Sequence, residues 1–223
     1  MTSETGTSRT AGDIRGYLLR QLNSALRRPE MHGAETALRL YFDALAFADR
    51  GEHAWAEDLS ALRSREAFTP TGVTGAVERA LGRKAADVMA SVYAEIARRR
   101  AWLTVDNSLP EADHDRIRSR LPAWCAQDRS QSDVTAEFGE PSMLIGGSNP
   151  LYPKTLAYAA AHIGGPLIFF HLWNGRQPGT GSDDWPPEHP EPILLAARCG
   201  GARFIDGFIF TPTGTAMRAE LAS

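Results

Sequence analysis

A chain of 223 residues, 43% of them hydrophobic, has material for one domain or for two small ones packed together. Charged residues make up 23% and the formal net charge is −3, which argues against a dedicated nucleic-acid binder carrying a basic domain. The longest apolar run, 166–173, is too short to span a bilayer and contains His171.

Residues 1–12 are polar and rich in Thr and Ser, without the apolar stretch of a signal peptide, and are expected to form a disordered leader. Asp13 then stands at an N-cap position, and Ile14, Leu18, Leu22 and Leu26 recur at helical spacing until Pro29. A second helix is predicted over 34–49, with Leu38, Tyr41, Leu45 and Ala48 as its apolar stripe and Gly51 as its stop. Trp55, Leu59 and Leu62 mark a third, over 52–63. Val73, Val77 and Leu81 mark a fourth after Pro70, and Val88, Val92 and Ile96 a fifth over 84–102. A sixth, shorter, follows Pro110 with Ile117 and Leu121 buried.

The chain changes character after Trp124. A polar linker over 126–133 precedes one short helix bearing Val134 and Phe138, and a segment rich in Gly and Pro follows up to Pro153. Strand-like runs then cover 155–160, 167–173, 193–198 and 204–210. The tight Gly-rich separators 164–166 and 200–201 favour antiparallel hairpins. Along 168–173, Ile168, Phe170 and Leu172 point one way while Phe169, His171 and Trp173 point the other, so helices are expected over one face and partial cover over the second. The fold class is therefore α+β: an N-terminal helical bundle (13–125) followed by an α+β domain (126–223) with a small four-stranded antiparallel sheet and one short helix.

Phe68-Thr69-Pro70-Thr71-Gly72 recurs as Phe210-Thr211-Pro212-Thr213-Gly214, each time before a helix-like segment. The plainer account of this echo is a shared helix-start turn rather than a duplication, because Pro presets φ and Thr can cap.

Lys84 and Lys154 are the only lysines, so arginine carries nearly all positive charge, a bias of GC-rich bacterial coding and not of phosphate recognition. Cys125 and Cys199 fit free, largely buried thiols of a reducing cytosol better than a secreted disulfide scaffold. Asp113-His114-Asp115 has the composition of a metal cluster, but neighbouring helical positions diverge by about 100° and cannot converge on one ion. Arg98-Arg99-Arg100 wraps around a helix end and is expected to be solvated there. The glycines of 145–149 lack the spacing of a phosphate loop.

His171 sits between aromatics near a strand end, where it suits a general acid or base, or else a sheet histidine satisfied by its neighbours. Trp173 and Asn174 lead into a long loop, 175–192, that carries Asp183, Asp184 and Trp185 in a proline-stiffened setting suited to recognition. Tyr152 and Lys154 are candidates for a pocket beside the sheet, the plainer alternative for Lys154 being a solvent-facing strand start. From 132 to 215, the order of a short helix ending in Phe138-Gly139-Glu140-Pro141-Ser142 and a strand meander ending in Thr211-Pro212-Thr213-Gly214 resembles the small helix-plus-sheet modules of bacterial inhibitor and immunity-type proteins. That resemblance covers about a third of the chain and implies a binding role without assigning any residue.

These residues point to a non-enzymatic binding or interaction protein of the bacterial cytosol, of immunity or accessory type. Its recognition surface would be a sheet face and long loop formed by Tyr152, Lys154, His171, Trp173, Asn174, Asp183, Asp184 and Trp185. The expected partner is a protein or a small molecule, with no nucleic acid, membrane, metal or cofactor. The alternative is an enzyme with a site between the two halves and His171 as its acid or base.

Overall fold

A computed structural model describes residues 10–175 and 186–222. The N-terminal part is helical: α1 (Ala11–Arg27), α2 (Ala34–Ala48), α3 (Glu52–Ser64), α4 (Gly72–Leu81), α5 (Ala86–Arg99) and α6 (Glu111–Trp124). A short α7 (Gln131–Phe138) precedes the strands β1 (Met143–Gly146), β2 (Lys154–Tyr158), β3 (Ile168–Trp173), β4 (Ile193–Arg198) and β5 (Phe208–Phe210), and α8 (Pro212–Ala222) follows them. The class is α+β, with a helical first part and an antiparallel sheet after it. The sheet has five strands in the order β1-β2-β3-β4-β5, not the expected four, and α8 adds a helix beside α7. The missed strand is β1. Only Met143, Leu144 and Ile145 separate its flanking breakers, and three residues show no alternation. Pairing with β2, Met143 opposite Ala157 and Ile145 opposite Thr155, makes it a strand.

Helices cover both faces of the sheet. On one, Met143, Ile145, Ala157, Phe169, Ala196 and Phe208 join a single buried cluster with residues of α1, α2, α4 and α5. On the other, Leu156, Tyr158, Ile168, Phe170, Leu172 and Leu194 meet Ile117, Leu121 and Trp124 of α6 and Val134 of α7. The alternation read along β3 sorts its side chains between these two layers as predicted, and the rings of Trp124, Phe138 and Tyr158 all contact that of Phe170. α5 is tied to the sheet by Arg198 of β4. The Arg198 guanidinium is buried, donates to Glu95 at 3.0 Å and Ser91 at 2.8 Å, and lies 4.6 Å from the Phe169 ring centroid.

The Phe-Thr-Pro-Thr-Gly echo folds in two ways. At α8, Pro212 is the first helical residue and the Thr211 hydroxyl accepts from the Gly214 amide, as a capping threonine should. At α4, Thr69 and Gly72 exchange backbone hydrogen bonds in a tight turn, and Thr71 caps nothing. The cap comes from another helix. Glu35 of α2 accepts from the amides of Val73 and Thr74 at 2.7 and 2.8 Å, and from the buried Tyr93 hydroxyl of α5 at 2.8 Å. Gly72, at φ +83°, leaves room that a Cβ would take from this carboxylate.

Other expectations resolve unevenly. Asp113 and Asp115 pair with Arg116 and Arg118 while His114 is buried, so this trio does not converge. Arg98 is buried and donates to the carbonyls of Ala160 and His162, whereas Arg99 and Arg100 share Asp58. The Arg98–Arg100 run is thus a set of tertiary ties, not a solvated turn. Cys125 and Cys199 are free, and burial pushes the Cys125 thiol up to about 11. Among the described residues no helix is long and apolar enough to cross a membrane.

Candidate functional site

The sheet and the helical layer leave a cavity of about 460 Å³ at one end of their seam. Four segments build it: Arg28 to Met31 after α1, Arg83 to Asp87 entering α5, Gly146 to Pro153 between β1 and β2, and Trp173 to Gly175 at the end of β3. Its volume is more than twice the roughly 210 Å³ of the hollow beside Glu66 and Arg218. It lies in the size range of small-molecule sites.

Local chemistry fixes each wall. Gly146 ends β1 at φ +117°, and a Cβ there would come within 3.1 Å of the Pro153 carbonyl and 3.2 Å of Lys154 Cα. Glycine is therefore needed for the turn that presents Tyr152. The Tyr152 side chain is 44% exposed. Asn174 faces the other way, toward the chain beyond the long loop. Its side-chain amide donates to the His189 carbonyl and accepts from the His189 amide, both at 2.9 Å, so it fastens the two ends of the loop together. Trp173 packs edge-on to His189 and stands 5.8 Å from the Arg83 guanidinium. Asp183, Asp184 and Trp185 lie outside the described residues.

His171 and Lys154 are inside the protein rather than on a surface, with exposures of 2% and 1%. The solvent-facing strand start expected at Lys154 is thereby corrected. Its side chain folds back so that Nζ donates to the Asn149 carbonyl at 2.7 Å. Burial, and after it the neighbouring Arg28 guanidinium, lowers the affinity of this amine for its proton. Arg28 in turn donates to the Gly146 carbonyl at 2.9 Å.

A row of three polar groups runs from the cavity wall into the core. Asp87, in the first turn of α5, accepts from the Thr155 hydroxyl at 2.7 Å, and that hydroxyl lies 2.9 Å from His171 Nδ1. With Asp87 ionised, Thr155 gives its one proton to the carboxylate and His171 donates Nδ1–H to Thr155. The imidazole is then neutral, and its Nε2 lone pair has no partner among the described residues. Burial, then the Arg198 charge, drives the His171 pKa well below its ordinary value. Burial raises that of Asp87, opposed by Thr155, Arg83 and the amides of Asp87 and Val88.

Of the residues singled out from sequence, the fold brings Tyr152, Trp173 and Asn174 to one cavity, sets Lys154 behind its wall, and withdraws His171 beneath it. Sequence reasoning missed Arg28 and Asp87. An acidic residue in a first helical turn reads as a dipole partner, and an arginine at a helix end as a solvated cap. Among the described residues no group of three His, Cys, Asp or Glu side chains is placed to hold a metal ion. Set against protein-family models, curated proteins and solved structures, the chain matches none.

Proposed function

We propose that this protein binds a small molecule without transforming it, in the cavity where the α5 layer meets the ends of β1 and β3. The observation that carries the reading is that Tyr152, from the turn between β1 and β2, and Trp173, from the end of β3, line one concave site of about 460 Å³. Helices cover both faces of the sheet, so among the described residues the sheet offers no open aromatic face to a protein partner, which favours the small molecule. The test is a thermal-shift screen of small metabolites against the wild type and a Tyr152→Ala/Trp173→Leu variant. Ligands that raise the wild-type midpoint should fail to raise that of the variant. Ligands stabilising both equally, or none stabilising the wild type, would refute it.

The second reading is catalysis, and the Asp87–Thr155–His171 row is what favours it. In that case Asp87 faces the substrate as acid or base, and Thr155 and His171 orient its carboxylate from behind. A substrate turned over by the wild type but not by Asp87→Asn would decide for it.

A further inference from the structure

We infer that the cavity takes an anionic ligand, a phosphate or carboxylate borne on a planar aromatic body, a reading that rests on the cavity being the binding site. The warrant is an imbalance of charge. Several cations elsewhere are answered by carboxylates, Arg15 by Asp49, Arg27 by Asp106, Arg99 and Arg100 by Asp58 and Arg198 by Glu95, while Arg98 is held by carbonyls, those of Ala160 and His162, away from the cavity. At the cavity, among the described residues, the partners of Arg28 and the nearby Lys154 are backbone carbonyls, those of Gly146 and Asn149. Among the described residues neither has a carboxylate within ion-pair reach. Burying the Lys154 ammonium beside a second cation is costly unless a counter-charge arrives, and Arg28, on the wall itself, is the donor that would meet it.

The acidic groups on the wall do not cancel this. Glu30 is exposed to solvent. Asp87 accepts from the Thr155 hydroxyl and is stabilised as a carboxylate by the Arg83 charge, so it is already engaged. Arg28 and Lys84 stand on the same wall. The body of the ligand is read from the aromatic lining. Tyr152 presents a half-open ring, and the Trp173 ring and the Glu188 carboxylate both lie over Gly175, which puts this acidic group at the aromatic end, away from Arg28. Two aromatic walls and a cationic end describe a flat, singly anchored anion.

Calorimetric titration of the full chain with four probes tests this: 1-naphthyl phosphate, 2-naphthoate, 1-naphthol and inorganic phosphate. The naphthyl anions should bind at least about tenfold tighter than naphthol, the scale of one charge-assisted hydrogen bond, and inorganic phosphate alone only weakly. The ratio between the two anions identifies the headgroup. Arg28→Gln should abolish the anion advantage and leave naphthol unchanged, while Arg39→Gln, on the outer side of α2, should change nothing. Lys154→Met, which removes the buried charge at similar length, should fold more stably and also lose the advantage. Equal affinities for naphthol and the anions, with Trp173→Leu weakening all three, would overturn the inference and leave the binding site standing. No binding, or binding that Trp173→Leu does not affect, would overturn both.

Discussion

Replacing Thr155 by valine swaps a hydroxyl for a methyl group at unchanged branching, in a position fully shielded from solvent. Two hydrogen bonds go. The bond to the Asp87 carboxylate is charge-assisted, worth about 1.5–3 kcal/mol. The bond to His171 Nδ1 is the imidazole's single hydrogen bond, because Nε2 has none among the described residues. A buried ring with neither nitrogen satisfied costs about 1–3 kcal/mol. The two together come to about 3–5 kcal/mol, a large share of the roughly 5–15 kcal/mol of a typical domain. Urea unfolding followed by Trp fluorescence reads it directly, as a midpoint lower by about 1.5–2.5 M at a slope near 2 kcal/mol/M. His171→Leu in the same background separates the two parts. With both partners apolar, the imidazole penalty disappears, and the double variant should be about 1–2 kcal/mol more stable than the sum of the singles requires. A Thr155→Val cost below about 1 kcal/mol, or strict additivity in the cycle, would refute the hydrogen-bonded row.

Acid unfolding tests the same row from its other end. His171 is held neutral in the folded state, so below the unfolded histidine pKa of about 6.5 the unfolded chain binds a proton that the folded one refuses. Stability should therefore fall with pH from about 6.5 downward, by up to about 1.4 kcal/mol per unit from this group. His114, also disfavoured in its charged form by burial, acts in the same sense. Asp87 acts oppositely, since its raised pKa makes the folded state the better proton binder nearer the carboxylate range. His171→Leu should flatten the slope between about pH 6.5 and 5.5, and an unchanged slope in a denaturant series would count against a buried neutral imidazole. Glu35→Ala should cost about 3 kcal/mol in urea unfolding, combining a lost helix cap with a stranded Tyr93 hydroxyl, and Glu35→Gln less. A Glu35→Ala cost within about 0.5 kcal/mol of zero, the range of an ordinary surface change, would mean that α4 is not capped from α2.

What the sequence determined by itself are the properties a short stretch of chain fixes locally. Helical spacing placed α1 to α6, and period-two spacing sorted Phe169, His171 and Trp173 from Ile168, Phe170 and Leu172, because a strand throws successive side chains to opposite faces wherever it lies. Tyr152, Trp173 and Asn174 were legible as candidates because aromatics beside glycine turns and a long loop stand out in the chain itself. Tertiary structure alone decided the rest. β1 is a strand only by pairing with β2, and the same five-residue phrase is capped by its own Thr211 at α8 but by the distant Glu35 at α4. Arg28 and Asp87 came to line the cavity only when the end of α1 and the start of α5 were packed against the ends of β1 and β3. Burial then turned Lys154 from a surface charge into an enclosed one and His171 from a surface group into a neutral core ring. Solvation and partner geometry depend on which segments meet across the core, and no local pattern of residues carries that.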